Sequence, residues 1–262
     1  MSDNPYLPPS ADIRTEESED EGLAIGPYGD LELALSGEVV VDVFEILRET
    51  WRLVEGMKST VLLWMMVVGA GFALMFVLDM VIIGLLSGVW PLSPELFEVL
   101  GPQPWASVSN LVLSPFNTVV TLSALRIGML RATGETPTIT DLFTTHAFGR
   151  IWLFSALIQV LVMVLGLLHP YAPMAIWLVT IPTFWTSALM YERDCGIVDG
   201  VRYSAILMWR YISVPIACWI TILASYVVAT LTCGIALLWV IPYMLIFVGV
   251  AYRTLCGIRD VP

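Results

Sequence analysis

Six apolar runs, at about residues 60–86, 107–127, 150–168, 172–191, 211–231 and 234–254, constrain this chain more than any other feature. A hydrocarbon core about 30 Å thick takes roughly 20 residues of helix to cross. The chain is 58% hydrophobic and only 13% charged, where a soluble domain averages about 25% charged. These runs predict an all-α, polytopic membrane bundle of six transmembrane helices.

The charge that remains is gathered at one end of the chain. Residues 1–58 hold 14 acids against four bases, which is −10 of the total −11. The low pI therefore belongs to a tail, and the membrane part is nearly neutral. No basic surface offers itself to nucleic acid, and no signal peptide precedes the acids. Residues 1–37, rich in Pro, Ser, Asp, Glu and Gly, read as a disordered tail, because they cannot bury enough apolar area to offset their ordering entropy. Within that tail "NPYLPP" stands out. Asn4, Pro5, Tyr6, Pro8 and Pro9 form an extended aromatic-proline segment, either a plain leader or a docking motif for a cytosolic partner. The expected membrane domain is 38–257, followed by a short tail at 258–262.

Between Glu38 and Lys58 the pattern turns helical. Val40, Val43, Phe44, Leu47, Trp51 and Val54 recur at three- and four-residue steps, opposite Asp42, Glu45, Glu49, Arg52 and Glu55. Segments 138–149 and 197–210 read as further short amphipathic helices ahead of spans three and five. All 12 bases lie in the N-terminal region, the 126–150 and 193–210 connections or the C-terminus, and none lies at 87–106, 168–172 or 231–234. By the positive-inside rule both termini are cytosolic.

The even-numbered spans end alike, in "PFNTVVTLSALR", "PTFWTSALMYER" and "PYMLIFVGVAYR". Pro115 and Arg126, Pro182 and Arg193, and Pro242 and Arg253 are each eleven steps apart, about three helical turns, so each pair shares a face roughly 16 Å long. Each proline frees a carbonyl four residues earlier and kinks its helix. The repetition predicts three copies of one hairpin unit: amphipathic cytosolic helix, span out, kinked span back.

This plan, with "RDCGIVDGVRYSAILMWR" before span five and "GIALLWVIPYMLIFVGVAYRTLCG" near the C-terminus, resembles a broad group of uncharacterised six-span bacterial inner-membrane proteins. It is similar to the membrane domain fused to some glycerophosphoryl diester phosphodiesterases, and "NPYLPP" resembles a leader of many small proteobacterial membrane proteins. The resemblance implies a bacterial cytoplasmic membrane and six helices. It implies no catalytic residues, since no phosphodiesterase domain accompanies it here.

Candidate chemistry is sparse. Asp79 interrupts "ALMFVLDMVIIGLL"; with Asn110 and His169 at similar expected depth it forms a possible polar or ion site, or else a water-touched or packing carboxylate. "GLLSG" at Gly84–Gly88, with Gly69 and Gly71, has helix-packing spacing. Glu95 and Glu98 lie in a short interfacial helix capped by Ser93, bracketed by Trp90 and Trp105. Four cysteines without CxxC spacing and two histidines give no metal site and no cofactor to expect. No nucleotide-binding, hydrolase or metalloprotease motif is present. Three classes follow, in order of preference: a non-catalytic scaffold or regulator with cytosolic partners; a transporter or channel for a small solute or lipid; a membrane enzyme. Transporters keep ionisable groups at mid-depth, whereas this sequence holds Pro, Thr and Ser there.

Overall fold

The computed structural model describes residues 28–87, 104–168 other than 139, 141 and 142, and 181–258 other than 233. The "NPYLPP" segment, the 88–103 loop with its expected interfacial helix, His169 and residues 259–262 lie outside the described residues, and of Asn110 the main chain alone is described. Among the described residues the chain is all-helical. The helices are α1 (Leu31–Ser36), α2 (Val43–Leu53), α3 (Lys58–Ser87), α4 (Pro104–Ala132), α5 (Phe148–Leu168), α6 (Thr186–Glu192), α7 (Ile197–Arg210), α8 (Ser213–Leu231) and α9 (Leu237–Cys256). Five of them, α3, α4, α5, α8 and α9, are long and apolar enough to cross a membrane.

Local chemistry sets the ends of the short helices. Asp30 accepts from the amides of Glu32 and Leu33 at the start of α1. Asp42 does the same for Phe44 and Glu45 at the start of α2. Gly37, at φ +88°, stops α1 with bonds from Gly37 N and Glu38 N back to the carbonyls of Ala34 and Leu33. The amide of Trp185, ahead of α6, donates to Ser204 Oγ on α7 at 2.9 Å, a cap supplied by another helix.

Three departures from the sequence reading have physical causes. Residues 28–37, assigned there to the tail, are ordered, because α1 docks on α9 and α7 and buries Ala34. The helix expected over 138–149 is a loop in its described residues, entering α5 only after Ala147 at φ +57°. Its four β-branched threonines (138, 140, 144 and 145) weaken helix formation. Of the span expected at 172–191, residues 172–180 lie outside the described residues. The rest is a run of turns at 181–185 leading into α6. Phe184 N bonds to Ile181 O with Pro182 between them, where a turn suits a ring that fixes φ and offers no N–H. Pro115 and Pro242, by contrast, lie inside α4 and α9. The 197–210 segment is helix α7, as its periodicity predicts.

The packing centre is a parallel crossing of α4 and α9. A methyl group at Gly128 or at Gly249 would overlap the main chain of the other helix, so these glycines let two backbones touch. α3 runs antiparallel along α4: Trp64 Nε1 donates to Ser123 Oγ at 2.9 Å, and Gly71 admits the ring of Phe116. Half of the α9 span is buried and a third of the α4 span, against 11% for α3 and 6% for α5. The last two therefore present apolar flanks outward, as lipid-facing helices do.

Candidate functional site

Burial is concentrated at one end of the bundle, where Arg126, Arg193 and Arg253 lie. A helix leaves its last four carbonyls without intrahelical donors and carries partial negative charge there. Arginines answer that need repeatedly. Arg253 Nη1 reaches Ala132 O, the last residue of α4, at 2.6 Å, and Arg193 Nη2 reaches Cys256 O, the last of α9, at 2.6 Å. Arg131 donates to Leu53 O at 2.8 Å and Glu55 O at 2.7 Å, closing the end of α2. Arg210 donates to Ser36 O at the end of α1. Arg150 bonds the carbonyls of Asp194 and Cys195 just past α6.

The three arginines singled out by spacing close a ring. Arg126 Nη1 donates to Tyr191 Oη at 3.1 Å, two residues before Arg193. Arg193 bonds the end of α9 just past Arg253, and Arg253 returns to the end of α4, six residues past Arg126. Tyr252 Oη adds a bond to Glu192 Oε2 at 2.9 Å, and Glu192 pairs with Arg193 at 2.5 Å. Arg253 is fully buried; its second nitrogen meets Glu49 Oε2 at 2.6 Å. Glu49 was placed on the solvated face of its helix by its sequence, yet it faces inward with Ile46, Thr50 and Leu53. Those four positions form an i, i+3, i+4, i+7 stripe, the signal by which Glu49 could have been found.

The root of the N-terminal segment is tied into this ring. Gly29 N donates to Arg253 O at 2.9 Å, and the Tyr28 ring lies 5.3 Å from the Arg253 guanidinium. A side chain at Gly29 would overlap the carbonyls of Thr254 and Leu255. Beside the ring, on the surface, Asp194 sits at φ +54° and pairs with Arg150, with His146 Nε2 at 3.8 Å. The hydrogen bond and charge of Arg150 hold the Asp194 carboxyl below the ordinary aspartate range. Burial pushes the neighbouring Cys195 thiol up.

Away from the ring, α2 crosses the α8–α9 hairpin and leaves a cavity of about 620 Å³ walled by Leu47, Trp51, Ser225, Trp239 and Tyr243, with Arg48 at its edge. A second cavity of about 400 Å³ adjoins it at the same level of the hairpin, on the neighbouring face, sharing Ser225 and Val240. Both walls are mainly apolar, and the volumes fall within the roughly 300–1,000 Å³ of ordinary ligand pockets. Trp51 and Tyr243 stack obliquely at 6.0 Å, and Lys58 Nζ lies 5.6 Å from the Trp239 ring.

Of the Asp79, Asn110 and His169 trio, His169 and the Asn110 side chain lie outside the described residues. Asp79 is half-buried on α3, and its buried Oδ1 finds no hydrogen-bond partner among the described residues.

Fold and site together define the class: a multi-pass helical membrane protein whose polar groups knit one end of the bundle. No protein-family model, curated protein or solved structure matches the chain.

Proposed function

We propose that the protein is a non-catalytic membrane scaffold or regulator that presents its acidic N-terminal tail, with Asn4, Pro5, Tyr6, Pro8 and Pro9, to a cytosolic partner. The observation that carries this reading is the locked root. Residues 28–37 are bonded to the end of α9 and to Arg210, against the most buried part of the molecule. A tail that served only as a spacer gains nothing from such a root. A docking tail does, because a fixed root sets where the motif emerges and passes load from a bound partner to the arginine ring.

The proposal includes six spans arranged as three hairpins, with both termini in the cytosol of a bacterium and the domain in its cytoplasmic membrane. The cyclic bonding of Arg126, Arg193 and Arg253 supports the threefold plan, since each hairpin end donates to the next. The one-sided distribution of Lys and Arg supports the orientation, and the sequence resemblance supports the compartment.

A photo-crosslinking residue at Tyr6 of the full chain, activated in living cells, tests the reading. One discrete cytosolic adduct is expected, lost on Pro8→Ala with Pro9→Ala and weakened by Gly29→Ala, which loosens the root. No adduct, or an adduct indifferent to all three changes, refutes the proposal.

A further inference from the structure

We propose that the cavity between α2 and the α8–α9 hairpin is a binding site for one anionic phospholipid of the surrounding bilayer. Its acyl chain would lie along the hairpin and its phosphate would meet Arg48 and Lys58.

The argument begins with the cations. Arg131, Arg150, Arg193, Arg210 and Arg253 all bond backbone carbonyls at helix ends. Arg48 and Lys58 do not; among the described residues neither has a carboxylate or carbonyl partner. Arg48 lines the cavity, and Lys58 reaches the Trp239 ring of its wall from a neighbouring cavity of about 180 Å³ that it shares with Leu238. In a chain of net charge −11, an unpaired Arg48 in an apolar slot, with Lys58 just across Trp239, calls for an anion that brings an apolar body with it.

The slot suits that body. It runs from α2 along α8 and α9 as far as Val228 and Ala236, between mainly apolar walls, and an adjoining apolar cavity shares its Ser225 and Val240. The outer face of α8 beside it is exposed and apolar at Leu223, Tyr226 and Val227, so the slot opens where lipid is the solvent. Trp51, Trp239 and Tyr243, residue types that favour the headgroup level of a membrane, share its wall with Arg48. A soluble anion would leave the apolar length empty, and a zwitterionic lipid would bring a second cation up against Arg48 and Lys58. An anionic phospholipid satisfies both ends of the slot.

Native mass spectrometry of the full chain, released from detergent carrying phosphatidylglycerol or phosphatidylcholine, tests this. One phosphatidylglycerol should stay bound where phosphatidylcholine is lost. Arg48→Ala with Lys58→Ala should weaken that adduct roughly tenfold or more, the effect of removing charge-assisted hydrogen bonds. Ser225→Phe fills the slot at the junction of the two cavities and should abolish the adduct with both cations in place. Ala236→Phe, on the same wall, replaces it if Ser225→Phe does not fold. Equal retention of the two lipids overturns the proposal. So does a filled slot that still holds phosphatidylglycerol, since binding would then be surface electrostatics alone.

Discussion

Arg253 and Glu49 form the ion pair on which the arginine ring turns, and removing one partner gives the sharpest test of the fold. Glu49→Ala leaves a fully buried guanidinium with Ala132 O and the Tyr28 ring as its remaining neighbours. Its Nε already lacks a partner among the described residues. Breaking a buried pair from one side costs about 3–5 kcal/mol. The Glu49 side chain keeps 6% exposure, so water can approach the site and the lower end applies. At roughly 2–4 °C per kcal/mol for a chain of this size, the unfolding midpoint in detergent should fall by about 6–12 °C. Glu49→Gln keeps an acceptor and loses only the charge, which should cost about 1–2 kcal/mol.

The decisive variant is double. Glu49→Leu with Arg253→Met removes both desolvation penalties, and replacing a buried pair by apolar groups is often near neutral. The carbonyl of Ala132 then loses its donor, a cost of about 1 kcal/mol. The double variant should therefore lie at least about 1.5 kcal/mol above the sum of the two single changes. Thermal unfolding of the four proteins, followed by intrinsic fluorescence, measures it. A Glu49→Ala loss under about 1 kcal/mol, or strict additivity in the double variant, would show that the pair is not the buried unit described.

Gly249→Ala should force α4 and α9 apart and cost about 1–3 kcal/mol or more, read as a lower unfolding midpoint. Gly69→Ala, with open space around the added methyl, should cost nothing measurable. Asp194 has a folded pKa below its unfolded one, so its contribution is present above the ordinary aspartate range and disappears as pH falls through the folded value. In midpoint-versus-pH profiles Asp194→Asn should be less stable than wild type at neutral pH and converge with it in acid. A constant gap would count against the Arg150 pair. Asp79→Asn should leave the folded protein equally or slightly more stable, because Oδ1 has no donor to lose among the described residues and the charge is removed from an apolar helix. A clear loss of stability would mean the carboxylate has a partner on the segments outside the described residues.

The apolar runs were legible because length alone decides them: a continuous stretch of 20 apolar residues has few other places to go. The regular Pro–Arg spacing was legible too, though not its use. The spacing marked Arg126, Arg193 and Arg253 as the ends of a repeated hairpin, but not that they bond the ends of neighbouring segments. Which carbonyl an arginine reaches depends on tertiary neighbours that no spacing encodes. Helix α1 was missed because six residues are too few for periodicity to register, and its stability comes from docking on α9 rather than from its own propensity. Glu49 was misread because a charge on an amphipathic helix is by default solvated, and only the Ile46–Leu53 stripe argued otherwise. The Gly128–Gly249 contact was missed because a glycine's value lies in the helix that comes up against it.

One physical condition accounts for both the dense end of the bundle and the open slot beside it. In lipid, apolar side chains gain nothing by leaving one apolar surrounding for another, so helices associate through close backbone approach and through polar groups that lipid cannot satisfy. Both devices are found here at the arginine end: Gly128 against Gly249, and arginines on helix C-termini. Away from that end, α3, α5 and α8 are covered by leucine, valine and phenylalanine with much of their surface exposed, and such faces have no reason to close on one another. The hairpin of α8 and α9 is therefore held at its base and free to stand off from α2 above it. A cavity with apolar walls, Arg48 at its edge and Lys58 across Trp239 is what remains when the polar bonds are used up before that slot is reached.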